Sequence, residues 1–260
     1  MFATLSNRRA QLRAGYLALA FSRVLTMTLD ELKKEVFEAN LEIVRRGLVL
    51  YTWGNASGID RERGLVAIKP SGVDYDTMRP EDMVLIDLQT GEVVDGDLRP
   101  STDTPTHLAI YRAFEGVGGV IHTHSTHAVA WAQAQRDIPI VGTTSADYFY
   151  RPIPCCRALT KEEIEQRYEA ATGDAIVETF RERGLDPLTT PAALARNHGP
   201  FAWGKTPAEA AYNATVLEES AKMALLTAII NPALPTDENL IEKHYSRKHG
   251  ANAYYGQKKS

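Results

Sequence analysis

Apolar residues recur in this chain at two periods, and the two alternate along its length. Thr28-Leu29-Asp30-Glu31 has the form of a capping box, in which a hydroxyl and a carboxylate satisfy free amides at a helix start. Leu29, Leu32, Val36, Ala39 and Ile43 follow at steps of three and four, and Gly47 closes this predicted helix. Strand-like segments are then expected around Leu48–Thr52, Leu65–Ile68, Met83–Asp87 and Glu92–Val94. The Gly-Ile-Asp-Arg, Pro-Ser-Gly and Gln-Thr-Gly turns between them suggest antiparallel hairpins. Thr104-Pro105 opens a second helix, with Thr104 as its cap, that carries Leu108, Ile110, Tyr111 and Phe114. Gly118-Gly119 turns into a buried strand ending in Ile121-His122-Thr123-His124.

Beyond that strand the pattern predicts a helix over Thr126–Gln135 and a short strand over Ile138–Val141. Capping boxes at Thr160–Glu163 and Thr206–Glu209 start further helices, the second running to Ile230 and stopping at Asn231-Pro232. Helices before, within and after a set of short strands predict one α/β domain of three layers. Its central sheet is mostly antiparallel, with helices on both faces.

Composition narrows the class. Of 260 residues, 44% are apolar and 24% charged, ordinary for a globular protein, and the formal net charge of −4 leaves no basic field for nucleic acid. No stretch is apolar and long enough to span a bilayer. The only cysteines, Cys155 and Cys156, are adjacent, which fits neither a mutual disulfide nor Cys-x-x-Cys spacing and reads as a reduced, cytoplasmic protein. Residues 1–26 carry Arg8, Arg9 and Arg13 before an apolar run that Arg23 interrupts. They read as a non-catalytic N-terminal extension or an upstream start, followed by a domain over 27–257 and a tail over 258–260.

The chemistry concentrates at His122 and His124. Side chains at i and i+2 share one face of a strand, so both rings can reach one ion. His198, in Asn197-His198-Gly199-Pro200, is a third imidazole, and three leave an open position on a divalent metal, as catalytic sites do. Three polar turns accompany them: Thr52-Trp53-Gly54-Asn55-Ala56-Ser57, Lys69-Pro70-Ser71-Gly72 and Ser101-Thr102-Asp103-Thr104. Their hydroxyls, amides and the Lys69 cation suit a phosphate monoester, and the last lies at a helix N-terminus. Asp103 reads either as support for the helix end or as a metal-site carboxylate. Asp147 sits in a polar loop suited to a general acid or base. His107, His127 and His249 read as helix residues with local partners. The basic tail from Lys243 to His249, ending in Tyr254-Tyr255-Gly256, could dock into a site, its own or a neighbour's.

Together these motifs, with Asp103-Thr104-Pro105-Thr106-His107 and Gly142–Phe149, resemble the class II aldolase/epimerase family from about Met27 to Gln257. The resemblance implies that His122, His124, His198 and Asp103 bind zinc, or another divalent ion such as manganese. It implies that Gly54, Asn55, Lys69, Ser71, Gly72, Ser101, Thr102 and Arg247 contact a sugar phosphate. Asp147 and Tyr255 would carry protons, Tyr255 reaching in from an adjacent subunit of a homotetramer with active sites at its interfaces. Gly142–Phe149 and the segment from His244 to Gln257 narrow the resemblance to pentulose-phosphate epimerases of L-arabinose catabolism. They interconvert L-ribulose 5-phosphate and D-xylulose 5-phosphate by breaking and remaking C3–C4. Aldolases of the family carry glutamate where this chain has Asp103. An aldolase, a paralogue acting on L-xylulose 5-phosphate, and a non-catalytic binding protein are the competing expectations.

Overall fold

The computed structural model describes residues 27–232 and 237–256; the extension over 1–26, Gln257 and the tail over 258–260 lie outside them. The first helix, α1 (Leu29–Arg45), starts on the expected capping box: Thr28 accepts from the Glu31 amide, and Glu31 accepts from the Thr28 amide. Leu32, Val36, Ala39 and Ile43 are its buried face.

Seven strands follow: β1 (Asn55–Asp60), β2 (Leu65–Ile68), β3 (Val84–Asp87), β4 (Val93–Asp95), β5 (Gly119–His122), β6 (Ala192–Ala195) and β7 (Gly199–Gly204). They form one sheet in the order β4-β3-β2-β1-β5-β7-β6, and every pair is antiparallel. Alternation along the strands sends side chains to two cores. Ala56, Ala67, Leu85, Ile121 and Leu194 pack on one side with α1, α3 (Thr126–Gln133) and α6 (Pro207–Ile230). Ile59, Val66, Ile86, Val120, Phe201 and Trp203 pack on the other with α2 (Thr104–Ala113) and α5 (Lys161–Arg183). A short α4 (Thr143–Ala146) and a C-terminal α7 (Glu238–His249) complete the elements used below. This is the three-layer α/β architecture expected from the pattern.

Four local expectations need correcting. Leu48–Thr52 is not a strand: Leu48 and Val49 are buried, but Tyr51 turns the chain at φ 52°, and the ladder starts only at Asn55. The Gly-Ile-Asp-Arg segment is therefore mostly strand rather than turn. Its small residues are there for space, since a Cβ on Gly58 would lie 2.7 Å from Pro207 Cγ and 2.8 Å from Val36 Cγ2. Ile138–Val141 makes only an isolated bridge, Ile138 to Ile153. Finally, α2 begins at Thr104 with Asp103 in the capping position, where its carboxylate makes no cap bond.

Candidate active site

The histidine pair does not sit on a strand as a unit. β5 ends at His122, and His124 lies beyond it, in the link to α3. The rings nevertheless converge: His122 Nε2 and His124 Nε2 are 3.1 Å apart. His198, just before β7, closes the group, with ring centroids 4.6 Å from His122 and 5.0 Å from His124. Strand pairing brings them together, since β5 and β7 are neighbours and His122 is opposite Phe201. That phenyl ring stacks on His122 at 4.3 Å and 20°. Two glycines make room. A Cβ on Gly199 would lie 2.8 Å from the Thr123 carbonyl oxygen, and one on Gly54 would lie 2.7 Å from that of His122.

Hydrogen bonds fix which nitrogens are free. His122 Nδ1 is 3.0 Å from the Pro200 carbonyl oxygen, which can only accept, so Nδ1 holds the proton and Nε2 presents its lone pair. His198 Nδ1 is 3.2 Å from the Tyr168 hydroxyl, a partner that the sequence pattern did not single out. Tyr168 follows Arg167, whose φ −156° and ψ 41° interrupt the helical path of α5. Burial pushes His122 down to about 3 and lowers His124 and His198, so all three imidazoles are neutral near pH 7.

Asp103 adjoins this group rather than joining it: among the described residues the ligand atoms within 4.8 Å of one another are those of the three histidines. The Asp103 carboxylate accepts from Asn55 Nδ2 at 2.7 Å, and the same amide donates to Ser101 Oγ at 3.0 Å. Burial works to raise the Asp103 pKa, but the His122 ring, aided by the Asn55 amide, holds it below the usual carboxylate range. The set comprises three neutral nitrogens and one carboxylate. Two nitrogens bound to one ion at about 2.0–2.1 Å would sit about 3 Å apart, as His122 and His124 do. The three histidine ligand atoms lie within 4.8 Å of one another, and this donor set fits a divalent transition metal.

The other turns join from one side. The Lys69–Gly72 and Arg99–Ser101 segments are zipped by Ser71 N donating to Arg99 O and Ser101 N to Lys69 O. Lys69 is itself buried. Its ammonium donates to the Val73 carbonyl at 2.7 Å, lies 4.7 Å above the Tyr75 ring, and is pushed down to about 8 by burial. Ser71, Gly72 and Thr102 are exposed on the rim.

Asp147, Tyr255 and Arg247 form a second cluster. Asp147 is not a solvated loop residue: it caps the end of α4 and is 8% exposed. Its carboxylate accepts from Arg247 Nε at 3.0 Å, Arg247 NH2 at 2.7 Å and His244 Nδ1 at 3.0 Å, all from α7. Burial opposes ionisation there, and the bonds from Arg247 and His244 overcome it, so the pKa falls below its ordinary value. Tyr255 is exposed and lies over Arg247 and Lys248, 5.0 and 4.5 Å from its ring centroid. Among the described residues no hydrogen bond, ion pair or ring contact joins this cluster to the histidines. The remaining histidines have remote partners, not local ones. His107 is bonded to Ser57, His127 to Glu218 and His249 to the Asp147 carbonyl.

Over 231 residues, 88% of this chain and 100% of the relative, the sequence is 58% identical to a Salmonella paratyphi C protein named L-ribulose-5-phosphate 4-epimerase UlaF. The counterpart of the same name from Salmonella typhi is 57% identical over the same span. Among solved structures, an L-fuculose 1-phosphate aldolase aligns with TM-score 0.70 and 26% identity, covering 86% of this chain and 98% of that one. Residues 34–225 match the family described as "Class II Aldolase and Adducin N-terminal domain". The chain belongs to the class II aldolase and adducin N-terminal domain family.

Proposed function

We propose that this chain is a metal-dependent 4-epimerase that interconverts L-ribulose 5-phosphate and D-xylulose 5-phosphate by breaking and remaking the C3–C4 bond. The observation that carries the reading is the convergence of His122, His124 and His198 beside Asp103, in a chain 58% identical to a relative of that name. These four residues would hold the ion, zinc in this proposal. When bound, such an ion acts as a Lewis acid that stabilises negative charge on substrate oxygens.

The chain's own residues do the rest. The rim formed by Gly54, Ser71, Gly72, Ser101 and Thr102 binds the phosphate through hydroxyls and backbone amides, with Lys69 anchored behind it. Asn55 orients Asp103 and borders the same space. One proton carrier removes the C4 hydroxyl proton as C3–C4 breaks. The freed aldehyde fragment turns while its phosphate stays held, and the new C4 hydroxyl is protonated from the opposite side by a second carrier. Asp147, ionised in this structure, and Tyr255 are the pair assigned to these roles, with Arg247 beside them. The separation of this cluster from the histidines supports a site completed between subunits, a homotetramer in this proposal, with Tyr255 acting across the boundary. No described helix is long and apolar enough to cross a membrane, and a cytoplasmic location is part of the same proposal.

The likeness to an L-fuculose 1-phosphate aldolase favours sugar-phosphate aldol cleavage as the second reading. An assay of 4-epimerisation of L-ribulose 5-phosphate, with and without chelator, tests the first. Chelator-sensitive turnover supports it, whereas release of an aldehyde and a ketose fragment without epimer favours the aldolase. L-xylulose 5-phosphate in the same assay ranks the expectation of a paralogue acting on that substrate.

A further inference from the structure

His107 is the buried polar group that the reading above leaves unused. It lies one turn into α2 from Asp103, with its backbone amide donating to the Asp103 carbonyl at 3.1 Å. Its ring is fully buried, and its Nε2 has no hydrogen-bond partner among the described residues. A buried imidazole with one nitrogen satisfied and the other idle is costly unless something uses the idle atom.

A chain of hydroxyls lies behind the ring: Ser57 Oγ is 2.8 Å from the Tyr111 hydroxyl and 2.7 Å from His107 Nδ1. When Ser57 donates to Nδ1, the neutral ring carries its proton on Nε2, an N–H donor with no acceptor among the described residues. Asp103 is the charge that acts on this ring. Ser57 and Asn55, two apart on β1, address His107 and Asp103 respectively. Phe201 links the two sides, stacked on His122 and 6.0 Å from His107 edge to face.

We propose that His107 is a positioning residue for the metal site: its Nε2–H is the donor reserved for the Asp103 carboxylate once Asp103 engages a bound divalent ion. The inference rests on the proposed reading of Asp103 and the three histidines as metal ligands. Metal-bound carboxylates are themselves held by hydrogen bonds, and losing such a partner weakens metal binding by about 10–100-fold. Asn55 fixes one carboxylate oxygen; His107 fixes the ligand's orientation from within the core.

The test uses the full chain, with Zn²⁺ as the probe in competition with a chromophoric chelator. His107→Leu should weaken zinc by about 10–100-fold and alter the visible spectrum of the Co²⁺-substituted protein. His107→Gln, whose terminal amide keeps a donor near the Nε2 position, should recover most of the affinity. Histidine ¹⁵N spectra of metal-free wild-type protein should show His107 protonated at Nε2, with a shift on adding zinc; this arm decides even if His107→Leu does not fold. Unchanged zinc affinity in His107→Leu, no recovery in His107→Gln, or a proton on Nδ1 overturns the proposal. If zinc binding is lost in His124→Ala but unchanged in His107→Leu, only the His107 role falls. If wild-type protein binds no zinc, the ligand reading falls and takes this one with it.

Discussion

The histidine centre and the Asp147 cluster are both polar and partly buried, with His122 and Asp147 buried but His124 and Tyr255 exposed, yet they are built by different means. The first hangs on the sheet: His122 ends a central strand, His198 adjoins β7, and close glycines and a stacked phenyl ring fix the imidazoles. The second hangs on charge. Asp147, on a four-residue helix, is clasped by Arg247 and His244 from α7, a helix with no buried residues. A site set against the sheet is held by close packing and keeps its shape without ligand. A clasp carried on α7, none of whose residues is buried, can open without unpacking the core. The difference assigns rigid ligand geometry to the histidines and movable proton carriers to the clasp.

The comparison is broken most severely by removing a ligand. His122→Ala should abolish bound metal and lower turnover by about 10⁴-fold or more, because Lewis-acid stabilisation is worth several kcal/mol. Metal analysis beside the epimerase assay checks this, and full metal content with normal turnover would refute the centre. Asp147→Asn should lower turnover by roughly 10²–10⁴-fold, the usual scale of general acid–base catalysis, while leaving metal content at the wild-type value. Loss of metal in that variant would mean that the two clusters are one.

The same contrast explains what could be read from the sequence. The histidine centre was legible because the turn at Gly118-Gly119 and the apolar run after it placed His122 at the end of a buried strand, and because His-x-His spacing with a third histidine beside an apolar segment suits one ion. β1 was misplaced because its residues, Asn-Ala-Ser-Gly, are those of turns; they fill a strand only because Pro207 and Val36 press on it from elements distant in sequence. Tyr168 was missed for a related reason, since its bond to His198 joins positions 30 apart through a break in α5. Asp147 was recognisable as chemistry, but its partners lie about 100 residues away, and no local pattern encodes an ion pair of that span.

Glycine substitutions sharpen the comparison at a smaller scale. Gly54 and Gly72 both have positive φ, +94° and +70°, but an added Cβ on Gly72 meets nothing within 4 Å. Gly72→Ala should therefore cost only backbone strain, about 1 kcal/mol, whereas Gly54→Ala should cost roughly 1–3 kcal/mol and disturb His122 as well. Urea unfolding measures both, and equal losses would remove the argument from close approach.

The gentlest probe is acid, and it separates the regions by pH window. His122 and His107 are held down to about 3 and about 4, against an ordinary value near 6.5. Below pH 6.5 the unfolded chain takes up protons at these positions while the folded chain does not. Unfolding is then favoured, and stability falls as pH falls, by about 1.4 kcal/mol per pH unit for each such histidine until its folded pKa is reached. Asp147 behaves otherwise: its pKa is lowered by the clasp, so its contribution is complete above the ordinary carboxylate value and is lost only below about pH 4. In metal-free protein the urea midpoint should therefore drop between pH 6.5 and 4.5, while the Asp147–Arg247 clasp, followed by the carboxyl ¹³C shift of Asp147, stays intact. A midpoint that holds steady down to pH 4.5 would mean that the imidazoles are hydrated rather than buried, and the contrast between a core-built centre and a charge-built clasp would fail.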